Sequence, residues 1–179
     1  MKVYIAYGWL EGTWQGKKLR SHLVDAGHTV TSSMQEADVI IAHSAGCYML
    51  TTTANTKLTL LIGLPNWPRT LIKCTFEKVR IEHKDCYWFK KTFWNLIYAI
   101  FQPVRLVSVY RSFNKKTLPN FKNCEVILIH NKLDTYMDEG VSTDLAKQHN
   151  WQYKNVSGEH DDLWQNTDFY INFIKQYIS

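Results

Sequence analysis

The sequence predicts an α/β protein, a three-layer α/β/α sandwich built on a mostly parallel sheet of about six strands. Short apolar runs alternate along the chain with longer stretches of helical periodicity, which is typical of a parallel sheet covered on both faces. Of the 179 residues, 45% are hydrophobic and 21% charged, as in ordinary globular proteins. We therefore expect residues 1–179 to form a single domain with a sizeable core.

The strands and helices follow from the apolar pattern and from the residues that end each segment. Strands are expected at about 2–7, 28–31, 39–43, 57–63, 125–130 and 152–156. Helices are expected at about 13–26, 45–54, 140–149 and 162–177. Only residues 32–37 separate the second strand from the third, whereas a parallel crossover normally takes a dozen or more residues. Either the second strand is very short, or the usual crossover helix is reduced to a turn.

Ser44 is the most informative residue of the sequence. The apolar strand 39–43 runs directly into a turn in which Ala42 and Gly46 flank the serine, and a helix is expected to follow. Such a strand–turn–helix lifts the serine oxygen above the sheet, and the small neighbours let strand and helix pack closely. It also leaves the backbone N–H of Ala45 free at a helix N-terminus. The alternative interpretation is an ordinary turn with a serine that caps a helix.

A carboxylate follows the end of a second buried strand. Asp134 comes just after the strand 125–130, and open α/β sheets place their functional residues beyond the carboxyl ends of strands. Asp138 and Asp144 are alternative acids, but both lie farther from the strand end. Asp134 is therefore the expected acid of the site.

A histidine lies in a glycine-containing loop before the last predicted helix. His160 is the candidate general base, because its ring can take the proton of a serine hydroxyl. Asp161 and Asp162 follow it directly and are expected to cap the last helix, and they would orient His160 only if Asp134 does not. Structural or surface positions are expected for three other histidines, His43, His130 and His149.

In the order Ser44, Asp134, His160, these residues resemble the catalytic triad of the α/β-hydrolases, whose chain order is serine, acid, histidine. The chain is similar to compact serine hydrolases related to the retinoblastoma-binding-protein hydrolases, over about residues 1–66 and 119–179. The resemblance implies a spatial strand order of 2-1-3-4-5-6. It also implies that Ser44 is the nucleophile, His160 its base and Asp134 the residue that orients His160.

The resemblance further implies an oxyanion hole formed by the backbone N–H groups of Ala45 and Trp9. Trp9 lies in the loop after the first strand, and Gly8 would let that loop approach the serine closely. The family's usual histidine after the first strand, first elbow glycine and glycine after the acid strand are replaced here by Tyr7, Ala42 and Asn131.

Residues 67–118 match nothing in this pattern. The segment is too long for a loop and too aromatic for a disordered region, and it lies where hydrolases of this fold insert a cap. Its middle, 87–101, reads as a helix that stops before Pro103. We expect an aromatic-rich helical cap or lid over the site. The alternatives are a peripheral membrane or dimer contact through 87–101, and plain core packing.

Composition narrows the possible classes of protein. The formal net charge is +5, but the basic pairs are scattered, so a solvated surface is expected rather than a nucleic-acid site. The N-terminal apolar run reads as a strand rather than a signal peptide. No motif indicates a metal or organic cofactor, and the four cysteines lack CxxC spacing, so reduced thiols in a cytoplasmic protein are expected. These cysteines are Cys47, Cys74, Cys86 and Cys124.

The sequence therefore predicts a serine hydrolase that cleaves an ester, thioester or amide through an acyl-serine intermediate. The aromatic segment favours a carboxylesterase-like activity on a small or medium apolar acyl substrate. A catalytically silent protein of the same fold, which uses 67–118 to bind a protein or membrane partner, is the alternative. A basic protein that binds membranes or nucleic acid is a third possibility. The oligomeric state has no signature in the sequence.

Overall fold

The computed structural model describes residues 1–8, 11–51, 56–66, 97, 101, 103–121, 123–134 and 137–178. The strands are β1 (Lys2–Ala6), β2 (Thr29–Thr31), β3 (Val39–His43), β4 (Leu58–Ile62), β5 (Glu125–Asn131) and β6 (Gln152–Val156). The helices are α1 (Lys17–Asp25), α2 (Pro103–Lys115), α3 (Glu139–His149), α4 (Asp162–Gln165) and α5 (Thr167–Ile178). Two 3-10 helices lie at Met34–Glu36 and Ser44–Met49.

In the described part of the chain, six strands form one sheet in the order β2-β1-β3-β4-β5-β6. All five pairings between neighbouring strands are parallel, so the predicted fold class and strand order are confirmed. The central strands β3 and β4 are buried at every residue. Strands covered on both faces carry apolar residues at consecutive positions, which is why these two were visible in the sequence as continuous apolar runs.

Side chains alternate between the two faces of the sheet, and each face has its own apolar core. On one face, Val39, Ile41 and Leu60 pack with residues of α1, α4 and α5. On the other, Ile40 and Leu61 pack with residues of α2, α3 and the 3-10 helix at 44–49. The sheet is thus the middle layer of an α/β/α sandwich.

Both strand β2 and the connection from β2 to β3 are unusually short. β2 has three residues, and the 3-10 helix Met34–Glu36 stands where a crossover helix is usual. The backbone N–H of Asp38 donates to the Lys2 carbonyl at 2.9 Å, which fixes the chain against the start of β1 before β3 begins. Both alternatives raised by the sequence therefore apply.

Three helices differ from their predicted bounds. α1 begins at Lys17 rather than near residue 13, since Gly12 and Gly16 disfavour a helix across the intervening turn. The helix after Ser44 is a 3-10 helix that ends at Met49. The last helix is interrupted at Asn166, whose backbone leaves the helical region with φ −100° and ψ 45°. Among the described residues, no helix is long and apolar enough to cross a membrane.

The segment 67–118 is described in part. Its C-terminal part contains α2, which buries Val109 and Phe113 in the same core as Ile40. The Phe113 ring meets the Tyr48 ring edge-on, with 5.7 Å between centroids, so α2 packs against the 3-10 helix that begins at Ser44. The rest of the segment, including all but Ile97 and Phe101 of the helix expected at 87–101, lies outside the described residues.

Candidate active site

Ser44 lies directly after β3 and begins the 3-10 helix Ser44–Met49. Its φ is +53°, in the left-handed region that residues with a side chain rarely adopt. A backbone conformation of this kind costs about 1–3 kcal/mol and persists only where the surrounding structure imposes it. Here it reverses the chain between strand and helix, as the sharp turn predicted from the sequence requires.

Small residues make this turn possible. A Cβ atom at Gly46 would lie 2.6 Å from the Ala6 carbonyl oxygen and 2.7 Å from that of Tyr7. These oxygens belong to the backbone of β1 and the residue that follows it, so they cannot move aside. Ala42, on β3, is fully buried beside β1 and β4. The spacing noticed in the sequence thus reflects close packing of the 3-10 helix against the end of the sheet.

Ser44, His160 and Asp134 meet at the carboxyl edge of the sheet. The Ser44 hydroxyl oxygen lies 2.8 Å from Nε2 of His160, and Nδ1 of His160 lies 2.6 Å from Oδ2 of Asp134. Because a carboxylate only accepts hydrogen bonds, Nδ1 of His160 carries a proton and Nε2 accepts from the serine hydroxyl. The Asp134 side chain is fully buried and that of His160 is 12% exposed. The three groups form one continuous hydrogen-bonded chain.

The alternative acids have other surroundings. Asp138 caps α3, where its carboxylate accepts from the Val141 N–H at 2.9 Å. Asp144 is exposed on the same helix. Asp161 is the N-terminal capping residue of α4, although its side chain makes no capping hydrogen bond. Among the described carboxylates, Asp134 is the one that hydrogen-bonds to the His160 ring.

The loops that carry the acid and the base are joined by backbone hydrogen bonds. The N–H of Lys132 donates to the Val156 carbonyl at 3.0 Å, and the N–H of Leu133 donates to the Gly158 carbonyl at 2.9 Å. These bonds extend the parallel pairing of β5 and β6 beyond the strand ends. The distance between Asp134 and His160 is therefore fixed by the sheet itself.

Of the two expected oxyanion donors, Ala45 and Trp9, the structure describes Ala45. Ala45 is buried and is the second residue of its 3-10 helix, where no earlier carbonyl of the helix can accept its N–H. Trp9 lies outside the described residues. The N–H of Gly8, next to it, donates to Oε2 of Glu11 at 2.6 Å, so it is already engaged.

A second histidine touches the base. His43, the last residue of β3, is fully buried, as the sequence suggested. Its Nδ1 lies 2.7 Å from Oε1 of Glu11 and its Nε2 lies 2.7 Å from the backbone carbonyl oxygen of His160. Burial lowers the pKa of His43, but the charge and hydrogen bond of Glu11, the charge of Asp161 and the hydrogen bond to His160 outweigh it and raise that pKa to about 9.

Glu11 is the residue that the sequence did not indicate. It is 9% exposed, and both of its carboxylate oxygens accept hydrogen bonds within the site. It contacts His43 across a separation of 32 residues, and no spacing rule links a loop glutamate to a strand-end histidine. The available signal was an acidic residue three positions after Gly8, in the loop expected to face the nucleophile.

Neither a protein-family model nor a curated protein sequence matches the chain. Solved structures match it over nearly its whole length. The enol-lactonase from Burkholderia xenovorans LB400 superposes with a TM-score of 0.62 at 9% identity, over 99% of this chain and 90% of that one. The ydeN gene product from B. subtilis superposes with a TM-score of 0.58 at 14% identity, over 98% and 97% of the two chains. Esterase Pf2001 from Pyrococcus furiosus gives 0.58 at 12% identity, over 99% and 79%.

These proteins are α/β-hydrolases. The chain has the α/β-hydrolase fold. At such low identities the likeness extends to the α/β-hydrolase fold alone, and one fold hosts many activities. The activity of this chain has to be inferred from its own side chains.

Three side chains of the site carry atoms that can act as metal ligands. In the described part of the chain, His43, His160 and Asp161 bring one ligand atom each within 4.8 Å of the others. Both ring nitrogens of His43 and both of His160 are already hydrogen-bonded, to Glu11, the His160 carbonyl, Asp134 and Ser44. A metal ion would have to displace these bonds, so we assign none to this group.

The remaining candidates that the structure describes have other surroundings. Burial raises the pKa of the Cys47 thiol well above its ordinary value, so the thiol stays protonated and is a poor nucleophile. Cys47 and Cys124 are free thiols, and Cys74 and Cys86 lie outside the described residues. His130 is buried within β5, and His149 stacks on Trp151 at the surface, with 4.4 Å between ring centroids.

Proposed function

We propose that this protein is a serine hydrolase in which Ser44 is the nucleophile, His160 the general base and Asp134 the residue that orients the base. The observation that supports it is the continuous hydrogen-bonded chain from Asp134 through His160 to Ser44, with distances of 2.6 and 2.8 Å. A free serine hydroxyl is a weak nucleophile, and an adjacent base oriented by a third group is the arrangement that activates it. The strained turn at Ser44 presents that hydroxyl at the carboxyl edge of the sheet.

In the proposed reaction, Ser44 Oγ bonds to the acyl carbon while its proton passes to Nε2 of His160. Asp134 stabilises the imidazolium that forms, because it is a buried carboxylate hydrogen-bonded to Nδ1. The acyl oxygen becomes an oxyanion, which accepts hydrogen bonds from the N–H groups of Ala45 and Trp9. His160 then protonates the departing alkoxide, thiolate or amine, and an acyl-serine remains.

The second half of the reaction regenerates the enzyme. A water molecule gives its proton to Nε2 of His160 as its oxygen attacks the acyl-serine carbonyl. The second tetrahedral intermediate breaks its bond to Ser44 Oγ, which takes the proton back from His160. The acid product leaves, and no metal or organic cofactor enters any step.

We propose an ester as the substrate, with a small or medium apolar acyl group, and hence a carboxylesterase-like activity. The aromatic composition of 67–118 supports an apolar acyl site, since a cap of that composition would line the cleft with aromatic side chains. Among the similar structures are proteins described as an esterase and an enol-lactonase, both of which act on ester bonds. Thioesters and amides pass through the same acyl-serine intermediate and are the next classes to test.

A catalytically silent protein of the same fold is the second candidate. It is favoured by one observation: Phe101 and Val104, within the segment 67–118, are 80% and 83% exposed. Large apolar side chains with this exposure are compatible with a protein partner, a second copy of the chain or a membrane surface, including a contact through 87–101. A protein of this kind would keep its fold and show no serine reactivity.

Labelling with a fluorophosphonate probe tests the proposal. We expect the wild-type protein to be labelled, Ser44→Ala to be unlabelled and His160→Ala to be labelled at least about a hundredfold more slowly, since general-base catalysis contributes about that factor. Ser142→Ala is the matched control, because Ser142 is also a buried serine but lies on α3. This control should label like the wild type.

Two results would count against a serine hydrolase. One is a folded wild-type protein that takes up no label, as the silent alternative requires. The other is undiminished labelling of Ser44→Ala, which would assign the reactive group to a different residue. After positive labelling, a panel of esters with increasing acyl length would define the substrate.

A further inference from the structure

Glu11 and His43 form a buried pair directly beneath the base. The Glu11 carboxylate uses one oxygen to accept from Nδ1 of His43 at 2.7 Å and the other to accept from the Gly8 N–H at 2.6 Å. The side chain of His43 is fully buried and that of Glu11 is 9% exposed. None of these groups belongs to the hydrogen-bonded chain of Ser44, His160 and Asp134.

The protonation of His43 follows from its two partners. A backbone carbonyl only accepts hydrogen bonds, so Nε2 of His43 donates to the His160 carbonyl at 2.7 Å. The Glu11 carboxylate likewise only accepts, so Nδ1 is also protonated. His43 is therefore an imidazolium paired with a carboxylate, and its pKa of about 9 agrees with this assignment.

Packing prevents the His43 ring from turning away. The Trp164 ring meets it edge-on with 5.1 Å between centroids, and the His160 ring lies 4.9 Å away. A Cβ atom at Gly63 would lie 3.3 Å from Nε2 of His43 and 3.3 Å from the His160 ring. Since neighbours enclose the ring, the hydrogen bond to the His160 carbonyl has one available geometry.

We propose that Glu11 and His43 are positioning residues for the base: they hold His160 by its backbone carbonyl and tie it to the loop after β1 at Gly8. The inference rests on the proposed function, because it assigns a role to groups around the proposed base. Three hydrogen bonds, Gly8 to Glu11, Glu11 to His43 and His43 to His160, join loops that come from opposite ends of the sequence. The base and the loop expected to supply an oxyanion donor are thus held as one unit.

The use of two polar, charged side chains at this buried position indicates a role beyond packing. Replacing a buried ion pair with apolar side chains of similar volume is often neutral or stabilising, so such a pair is weak evidence of stabilisation. What apolar side chains cannot provide is a donor aimed at one carbonyl and an acceptor aimed at one N–H. Both directional bonds of this pair end on loops of the proposed site.

Two substitutions of Glu11 separate the effect of its hydrogen bonds to Gly8 and His43 from the effect of its charge. In Glu11→Gln the amide oxygen can accept from Gly8 and the amide nitrogen can donate to a neutral His43, which still donates from Nε2 to His160. Glu11→Ala removes both of these hydrogen bonds. His130→Gln is the control, since His130 is as deeply buried but lies within β5.

We expect Glu11→Ala to lower kcat for ester hydrolysis by about ten- to a hundredfold, because small misplacements of a catalytic group cost factors of this size. KM should change by less than about twofold, since the proposed role of the pair is to position the base and not to bind the substrate. Glu11→Gln and His130→Gln should keep kcat within about threefold of the wild type. A folded Glu11→Ala with wild-type kcat, or equal losses in the Ala and Gln variants, would overturn the role.

A measurement independent of hydrolysis keeps the two proposals apart. The proton between Nδ1 of His160 and Asp134 is observable by NMR, and its exchange with water reports how firmly His160 is held. We expect faster exchange in Glu11→Ala than in the wild type, Glu11→Gln or His130→Gln. If the wild type hydrolyses nothing, the proposed function fails while this comparison still decides the positioning role; unchanged exchange in Glu11→Ala rejects that role.

Discussion

Asn131 departs from the α/β-hydrolase pattern that the sequence resembles, and its side chain has a structural role in this site. It stands where a glycine is usual after the acid strand, and it is fully buried. Its Nδ2 donates to the Glu159 carbonyl at 2.9 Å, and its Oδ1 accepts from the Tyr170 hydroxyl at 3.4 Å. The side chain therefore fastens the loop before His160 to the end of β5, a connection that glycine could not make.

Asp134 gives the residue-scale prediction. Asp134→Asn should lower the rate of ester hydrolysis by about three to four orders of magnitude, as loss of the triad carboxylate does in serine proteases. In the proposed reaction an imidazolium forms on His160, and an amide cannot stabilise it as a buried carboxylate does. The measurement is kcat/KM on a short-chain ester, with the fold checked by circular dichroism.

Asp138→Asn is the matched control for that variant. Asp138 caps α3, and asparagine caps helices about as well as aspartate, so stability and rate should both stay close to the wild type. A large loss in Asp138→Asn together with an active Asp134→Asn would transfer the role of the acid to Asp138, the alternative considered from the sequence.

Ser44, Asp134 and His160 could be found from the sequence because each follows a predicted strand in an order that this fold uses. The structure brings these three together, while their catalytic roles stay a prediction. Glu11 could not be found in the same way. Its partner His43 is 32 residues away, and the contact exists only because the loop after β1 lies against the end of β3.

At the scale of the element, α2 supports the turn that carries Ser44. Its Val109 and Phe113 side chains are buried, and Phe113 lies against Tyr48 of the 3-10 helix. The sequence did not predict this helix, because a helix was expected only at 87–101, stopping before Pro103. Pro103 is the first residue of α2, a position where the missing N–H has no intrahelical partner to lose.

Truncation of Phe113 tests this support. Phe113→Ala should lower the free energy of unfolding by about 3–5 kcal/mol, because it empties a fully enclosed aromatic site. Val104→Ala on the same helix should change it by less than about 0.5 kcal/mol, as Val104 is 83% exposed. Urea denaturation of both variants makes the comparison. Equal effects would mean that α2 does not pack on the sheet through Phe113.

At the scale of the whole molecule, the sheet was the most predictable part. Its central strands are buried on both faces, so their sequences, such as 39–43 and 58–62, are continuous apolar runs. The strand order was predicted from the resemblance to the α/β-hydrolases. The apolar pattern alone does not tell which strands are neighbours in the sheet. The bounds of the helices were less predictable, because the ends of α1 and α5 depend on local turns at Gly16 and Asn166.

Where folding shifts the pKa of a buried group, the free energy of unfolding depends on pH in a definite direction. Burial raises the pKa of Cys47, and burial together with the charge of Asp162 raises that of Tyr170. Both groups stay neutral in the folded state, so they lower stability only when the pH rises past the ordinary values of about 8.5 for a thiol and 10 for a phenol. Between pH 6.5 and 8.5, His43 is the buried group expected to dominate.

The pKa of His43 predicts how stability changes in that window. The folded protein binds the His43 proton up to a pKa of about 9, whereas the unfolded chain releases it near the ordinary value of about 6.5. The folded state therefore holds more protons between these values, and the free energy of unfolding should fall as the pH rises, by at most about 1.4 kcal/mol per pH unit. The stabilisation is fully present below pH 6.5.

Urea denaturation between pH 6.5 and 8.5 measures this slope. In the described part of the chain, three titratable groups face His43: Glu11 from the loop before α1, and His160 and Asp161 from the loop after β6. Since Glu11 supplies the largest favourable effect, Glu11→Gln should flatten the slope, whereas His130→Gln should keep it. A wild-type slope that is zero or positive, or one that Glu11→Gln leaves intact, would show that His43 is neutral and that the buried pair carries no charge.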